Sequence, residues 1–283
     1  MSVHLADNRY GKSRVRLVRV DRQRPVHEFQ EWAVDVLLRG DFLTCYAEGD
    51  NSQILPTDTM KNIVYSLARK SKAECIEEFA KELCGFILSD NPQVAEVEIG
   101  IYQESWQHVS CGGKPQPTTF VKSGIERQTA RVIQGRAGGT RLESGIADLV
   151  IMKTADSAFE GFIQGGHTTL AETSDRLLGT SLRASWVYSP VELSFVGARH
   201  AVRESLLAAF ASRKSKSVQH TLYAMAQSAL AAAPQISEIT LSMPNKHCLL
   251  VDLSRFGQDN PNHIFVPTDE PYGTIEARVC RGS

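Results

Sequence analysis

The chain lacks most of what would place it in a familiar class. No apolar run approaches the length needed to span a bilayer and no secretory signal is present, so neither a transmembrane nor a secreted protein is expected. Its 31 Lys and Arg balance 32 Asp and Glu, a net charge of -1, which leaves no overall field to gather nucleic acid or an anionic membrane. The six cysteines contain no Cys-x-x-Cys pair, and Cys45, Cys75, Cys84, Cys111, Cys248 and Cys280 read as reduced packing thiols of an intracellular protein. The eight histidines form no His-x-x-x-His or His-Glu-x-x-His pair. A catalytic zinc site is therefore not expected. Gly-x-Gly-x-x-Gly after a strand, the P-loop and the Gly-x-Ser-x-Gly elbow are also missing. Arg281-Gly282-Ser283 is not the peroxisomal Ser-Lys-Leu address, so a cytoplasmic location is expected.

What is present is the balance of a folded protein: 283 residues, 42% hydrophobic and 22% charged, enough for one large or two ordinary domains. Arg14 to Val20 alternate and then slip phase at Val18 and Val20, which predicts a strand with a bulge. Glu31 to Val36 alternate as a sheet with one wet face. Two helices should follow. One begins at Thr57, with Thr57 or Asp58 as its cap; the other begins at Ser71, where Ser71-Lys72-Ala73-Glu74 has capping-box spacing. Val97 to Ile101 and a return through Phe120 and Val121 complete the first half.

The second half predicts the same order without obvious sequence repetition. Leu149 to Met152 and Trp186 to Phe195 read as strands, Arg199 to Ser212 and Ser217 to Ala232 as helices, and Ile239 to Met243 and Ile275 to Val279 as strands. The glycines from Gly135 to Gly139 sit near the boundary, giving expected domains of 1–137 and 138–283. Short hairpins around paired helices imply an α+β class, with antiparallel sheets covered on one face. Closing several copies into a barrel would hide the sheet edges, so an oligomer is expected.

Five stretches carry possible chemistry. Pro56-Thr57-Asp58-Thr59 is by default a helix start, and Lys12 of Tyr10-Gly11-Lys12 is by default a surface charge. Ser157 to Phe162 and Thr168 to Arg176 supply two aromatic rings, Phe159 and Phe162, and an arginine that Asp175 could hold as an ion pair. Thr169 and Glu172 have capping-box spacing. Val218-Gln219 opens a helix, which makes Val218 a core residue. Pro244-Asn245-Lys246-His247 at a strand end is by default a polar loop.

Taken together, and with Gly257 to Asn262 and Pro271-Tyr272-Gly273, these stretches resemble urate oxidase, the uricase family, over most of the chain. The threonine pair Thr118-Thr119 before Phe120 departs from the histidine usual there. The resemblance implies two tandem tunnelling-fold (T-fold) domains, assembling as a barrel-shaped homotetramer around a channel with sites at subunit interfaces. It implies oxidation of urate by dioxygen and water to 5-hydroxyisourate and hydrogen peroxide, the first step of urate degradation to allantoin. Dioxygen is a co-substrate, and no cofactor or metal is implied. Lys12, Thr57 and His247 would form the proton relay, and Asn245 would bind oxygen across from Thr57. Phe159 would stack on the purine and Arg176 would present its planar fork, with Thr57, Asp58, the backbone of Val218 and the amide of Gln219 completing the substrate contacts. Two alternatives remain: a non-catalytic purine- or pterin-binding T-fold oligomer, and a zinc-dependent cyclohydrolase-like relative, against which the missing histidine motif argues.

Overall fold

The computed structural model describes residues 3–189 and 194–282. Contacts divide the chain into two compact units, Met1–Gly145 with Val187–Val196, and Ile146–Trp186 with Gly197–Ser283.

In the first unit, strands β1 (Tyr10–Asp21) and β2 (Glu28–Gly40) are followed by helices α1 (Leu43–Glu48), α2 (Thr57–Lys70) and α3 (Ile76–Asp90), then by strands β3 (Val94–Cys111) and β4 (Lys114–Gly135). The four strands pair antiparallel in that order. Alternation decides which face is buried. Trp32, Val34, Val36 and Leu38 of β2 and Val97, Ile99 and Ile101 of β3 are all buried, and they meet Ile76, Phe79, Leu83 and Ile87 from one stripe of α3. Trp32 and Phe79 lie 5.1 Å apart between ring centroids, and burial of each such side chain contributes about 1.5–3 kcal/mol.

The structure differs from two local expectations in this unit. The irregularity in β1 falls between Lys12 and Val15, earlier than the slip at Val18. Ser71 does not start a helix; it ends α2, its N–H bonding Leu67 O at 2.8 Å and its hydroxyl accepting from Ala73 N at 3.0 Å. The N–H of Glu74 goes to the Glu78 carboxylate at 2.9 Å, and α3 starts only at Ile76. The Ser-x-x-Glu spacing was satisfied by a turn instead of a capping box.

The second half continues with β5 (Thr140–Lys153), β6 (Leu178–Tyr188), α4 (Phe195–Ser212), α5 (Val218–Ala232) and β7 (Ile236–Ser242). Then come β8 (Asn245–Leu250), a single 3-10 turn at Ser254–Phe256, β9 (Phe265–Gly273) and β10 (Glu276–Cys280). β7 pairs with β10, and β8 pairs with both β6 and β9. The strand expected over Trp186 to Phe195 is displaced: β6 ends at Tyr188, Phe195 opens α4, and 190–193 lie outside the described residues. Thr169 and Glu172 cap no helix; Glu172 Oε1 accepts from Gly161 N at 2.8 Å within an irregular segment.

Sequence repetition does exist, at one corner. Asn91-Pro92-Gln93-Val94-Ala95-Glu96-Val97 leads from α3 into β3, and Ala233-Pro234-Gln235-Ile236-Ser237-Glu238-Ile239 leads from α5 into β7. Each corner is held by an arginine just after the partner strand. Arg136 donates to Leu88 O at 2.6 Å, Asn91 O at 2.7 Å and Val94 O at 2.8 Å. Arg281 donates to Leu230 O, to Ala233 O at 3.0 Å and to Ile236 O at 2.8 Å. The acceptors have identical spacing: the first of each set lies in the last turn of a helix, the second in the turn that follows, and the third is the first residue of the next strand.

Candidate functional site

In the first unit the Tyr10-Gly11-Lys12 motif is built around the approach to α2. The Tyr10 hydroxyl accepts from Leu55 N at 2.9 Å, and its ring meets Phe42 edge-on at 5.0 Å, so the segment just before Thr57 is tied to β1. Burial raises the pKa of the Tyr10 phenol, which keeps it neutral at this bond. Gly11 has a steric reason: a Cβ there would stand 1.8 Å from Val36 O, so only glycine lets β1 lie against β2. Lys12 follows, half-buried, opposite Val36.

Thr57 is the first residue of α2, not its cap. Pro56 holds the N-cap position, its carbonyl accepting from Met60 N at 3.1 Å, and no side chain caps the helix. The Thr57 hydroxyl is thus not consumed by the helix, contrary to the capping expectation. Asp58 is exposed and bonded to Lys61 and, at 3.2 Å, to Asn62. The Lys61 hydrogen bond, with a smaller contribution from the charge of Lys12, holds its carboxyl below the ordinary value.

The second unit gathers Phe159, Arg176 and the start of α5 by backbone stitching. Phe159 and Thr173 exchange bonds at 2.8 and 3.1 Å, Ala158 N donates to Ser215 O at 2.8 Å, and Ser215 N donates to Asp156 O at 2.8 Å. The buried Thr221 and Ser215 hydroxyls meet at 2.7 Å, and Ser217 caps α5 by accepting from His220 N at 3.0 Å. Val218 and Gln219 are therefore first-turn residues whose N–H groups have no partner inside the helix, and the positive end of its dipole lies there. Val218 is buried and Gln219 is exposed.

Arg176 is the most informative residue. Its Cζ stands 5.0 Å from the centre of the Phe159 ring, and Phe162 stacks on Phe159 at 4.8 Å with an interplanar angle of 13°. Asp175 is not its ion-pair partner among the described residues: Asp175 Oδ1 accepts from Ser157 N at 3.0 Å, and no charge contributes to the Arg176 shift. Among the described residues the buried Nε of Arg176 has no hydrogen-bond partner, and burial alone lowers its pKa. An unpaired, partly desolvated guanidinium with five rigid donors is prepared for a flat anionic ligand.

Asn245 and His247 open β8. Asn245 is buried, opposite Thr180 of β6 on one side and Gly273 of β9 on the other; His247 is half-buried opposite Thr268. Lys246, between them, points to Asp269 at 2.9 Å. Each unit holds part of the predicted set: Lys12, Thr57 and Asp58 in the first, Phe159, Arg176, Val218, Gln219, Asn245 and His247 in the second. Among the described residues no three His, Cys, Asp or Glu side chains come together as a metal-holding group. Sequence reading passed over Tyr10 as a tether, Ser215, Ser217 and Thr221 as stitches, and the β8–β9 pair. Only the Ser217 cap had a local signal.

A profile described as Uricase matches residues 8–133 and 142–276. The uricase of Arthrobacter globiformis is 39% identical over 99% of this chain and 90% of its own length. That of Dictyostelium discoideum is 37% identical over 98% of this chain and 97% of its own. The crystal structure of the Arthrobacter globiformis uricase superposes with a TM-score of 0.94 at 38% identity, covering 99% of this chain and 96% of that one. The fold is accordingly α+β, two tandem T-fold domains with antiparallel sheets.

Proposed function

The chain belongs to the uricase family, and from that premise we infer that it is an oxidoreductase converting urate, dioxygen and water to 5-hydroxyisourate and hydrogen peroxide. Urate loses two electrons and dioxygen gains them as peroxide, while water supplies the new hydroxyl oxygen. The observation that carries the substrate assignment is Arg176, a guanidinium left unpaired over Phe159. The comparisons lend nothing to a non-catalytic purine-binding alternative.

In this reading urate stacks on Phe159, and Arg176 donates two parallel bonds to its edge, the geometry in which arginine outperforms lysine. The Val218 N–H, the Gln219 amide and the Thr57–Asp58 turn hold the remaining edges. Lys12, Thr57 and His247 form the relay that removes the urate proton, and Thr57 and Asn245 hold dioxygen against the electron-rich anion. No organic cofactor or metal takes part. The active form is a homotetramer with sites at subunit interfaces. The domains are 1–137 and 138–283, a division supported by the matching ends at Arg136 and Arg281.

The test follows urate's ultraviolet absorbance in air with a strong chelator present. Oxygen-dependent loss of absorbance with peroxide formed is expected. No turnover in air would contradict the activity, and loss on chelation restored by one metal would contradict the cofactor-free chemistry.

A further inference from the structure

Thr180 is fully buried on β6, and its hydroxyl has no hydrogen-bond partner among the described residues. A buried hydroxyl left unsatisfied carries a desolvation cost and calls for an explanation. Its place in the sheet supplies one. Thr180 is the direct cross-strand partner of Asn245, as Gly179 is of Lys246. Side chains directly opposite one another in an antiparallel pair project from the same face, with Cβ atoms roughly 4.5–5.5 Å apart. On the far side of Asn245 stands Gly273, where an added Cβ would lie 3.9 Å from the Asn245 Cβ. Asn245 is thus the middle of a three-strand row, with a hydroxyl on one flank and, on the other, a glycine over which the Ile275 side chain lies, with Cδ1 3.5 Å from where a Cβ would stand.

We propose that Thr180 is a positioning residue for Asn245: its hydroxyl holds the amide through one buried water, in the orientation that points the amide donors at bound dioxygen. A planar amide can swing about its χ2 axis at little steric cost, so an oxygen-binding asparagine needs a neighbour that anchors one end of it by a hydrogen bond. The Thr180 hydroxyl can do this, and Gly273 cannot. The proposal rests on the reading of Asn245 as an oxygen-binding residue.

The test compares T180V, T180S and N245A, with the double variant T180V/N245A. T180V removes an unpartnered hydroxyl at nearly constant shape, so its Tm should equal or exceed that of the parent. Its kcat/KM for dioxygen should fall about tenfold, the loss expected for one oriented hydrogen bond. The KM for urate should stay within about twofold, and T180S should restore the oxygen parameter, since serine keeps the hydroxyl. In the N245A background T180V should cost nothing further. An unchanged oxygen parameter in T180V alongside an impaired N245A would overturn the proposal, as would an equal loss with and without Asn245. An N245A enzyme as fast as the parent would show instead that the reading of Asn245 was wrong.

Discussion

Arg136 and Arg281 do the same work at the ends of β4 and β10, each drawing in three carbonyls of equal spacing where a helix turns into a strand. Around those matching corners the two halves differ. The first half runs directly from β3 to β4, whereas the second interrupts the corresponding step with β8, a 3-10 turn and β9, and also inserts the irregular segment between β5 and β6. Phe159 and Arg176 lie in one insertion, and Asn245 and His247 in the other. The repeated scaffold supplies stability, and most of the proposed binding chemistry sits where the repetition stops. Lys12 and Thr57 are the exception, placed in the first half by the Tyr10 tether and the Gly11 approach.

The largest expected effect lies in an insertion. Arg176→Lys should raise the KM for urate on the order of a hundredfold, because a compact ammonium cannot reproduce a two-bond fork. Thermal unfolding should shift by less than about 4 °C. A change in Tm with unaltered KM would make Arg176 part of the scaffold.

Next come the matched arginines. Arg136→Met and Arg281→Met should each lower stability in denaturant by about 2–3 kcal/mol, since three hydrogen bonds from a charged donor are lost at each corner. The KM for urate should stay nearly constant. A loss at one corner several times that at the other would break the equivalence.

Thiol reactivity separates buried from exposed positions. Burial pushes the Cys75 and Cys84 thiols up to about 12, so both should resist alkylation at neutral pH until the protein unfolds, while exposed Cys111 and Cys280 react. Rapid labelling of Cys84 in the native protein would show that the α3 packing opens readily.

The smallest effect is electrostatic. The hydrogen bond from Arg16, with a further one from Trp106, holds the Glu31 carboxyl below its ordinary value against the opposing effect of burial. A carboxyl whose folded pKa is depressed stabilises the fold above the unfolded pKa, and that stability is lost as pH falls through the folded one. Glu31→Gln should therefore flatten the acid limb of the stability curve, by no more than about 1 kcal/mol because Arg16 is largely exposed. An unchanged acid limb would remove Glu31 from the account.

The pattern of what was legible in sequence follows from the range of the interactions. α5 was readable because its apolar period and its Ser217 cap are local. β2 was readable because one face is buried at every second residue. β4 extends across 22 residues, far past the expected segment, because its polar stretch is held by pairing with β3 and not by burial. β9 carries Pro267 and Pro271 and no apolar alternation, so only its partner β8 makes it a strand. For the site, short motifs pointed to Lys12, Thr57, Arg176, Asn245 and His247. The Tyr10 to Leu55 tether spans 45 positions, and Thr180 opposes Asn245 only through sheet register. No local pattern encodes either.

The central proposal is that neither half carries a complete site, and that Lys12 and Thr57 of one subunit serve the binding set of a neighbour. Lys12→Ala and Arg176→Ala, each expected to be inactive alone, are mixed, unfolded and refolded together, and the hybrid assemblies are assayed for urate oxidation. Partial recovery is predicted, because some sites then combine a wild-type Lys12 with a wild-type Arg176 while others lack both. Well-formed hybrid tetramers with no recovered activity would contradict the claim and place both residue sets within one chain.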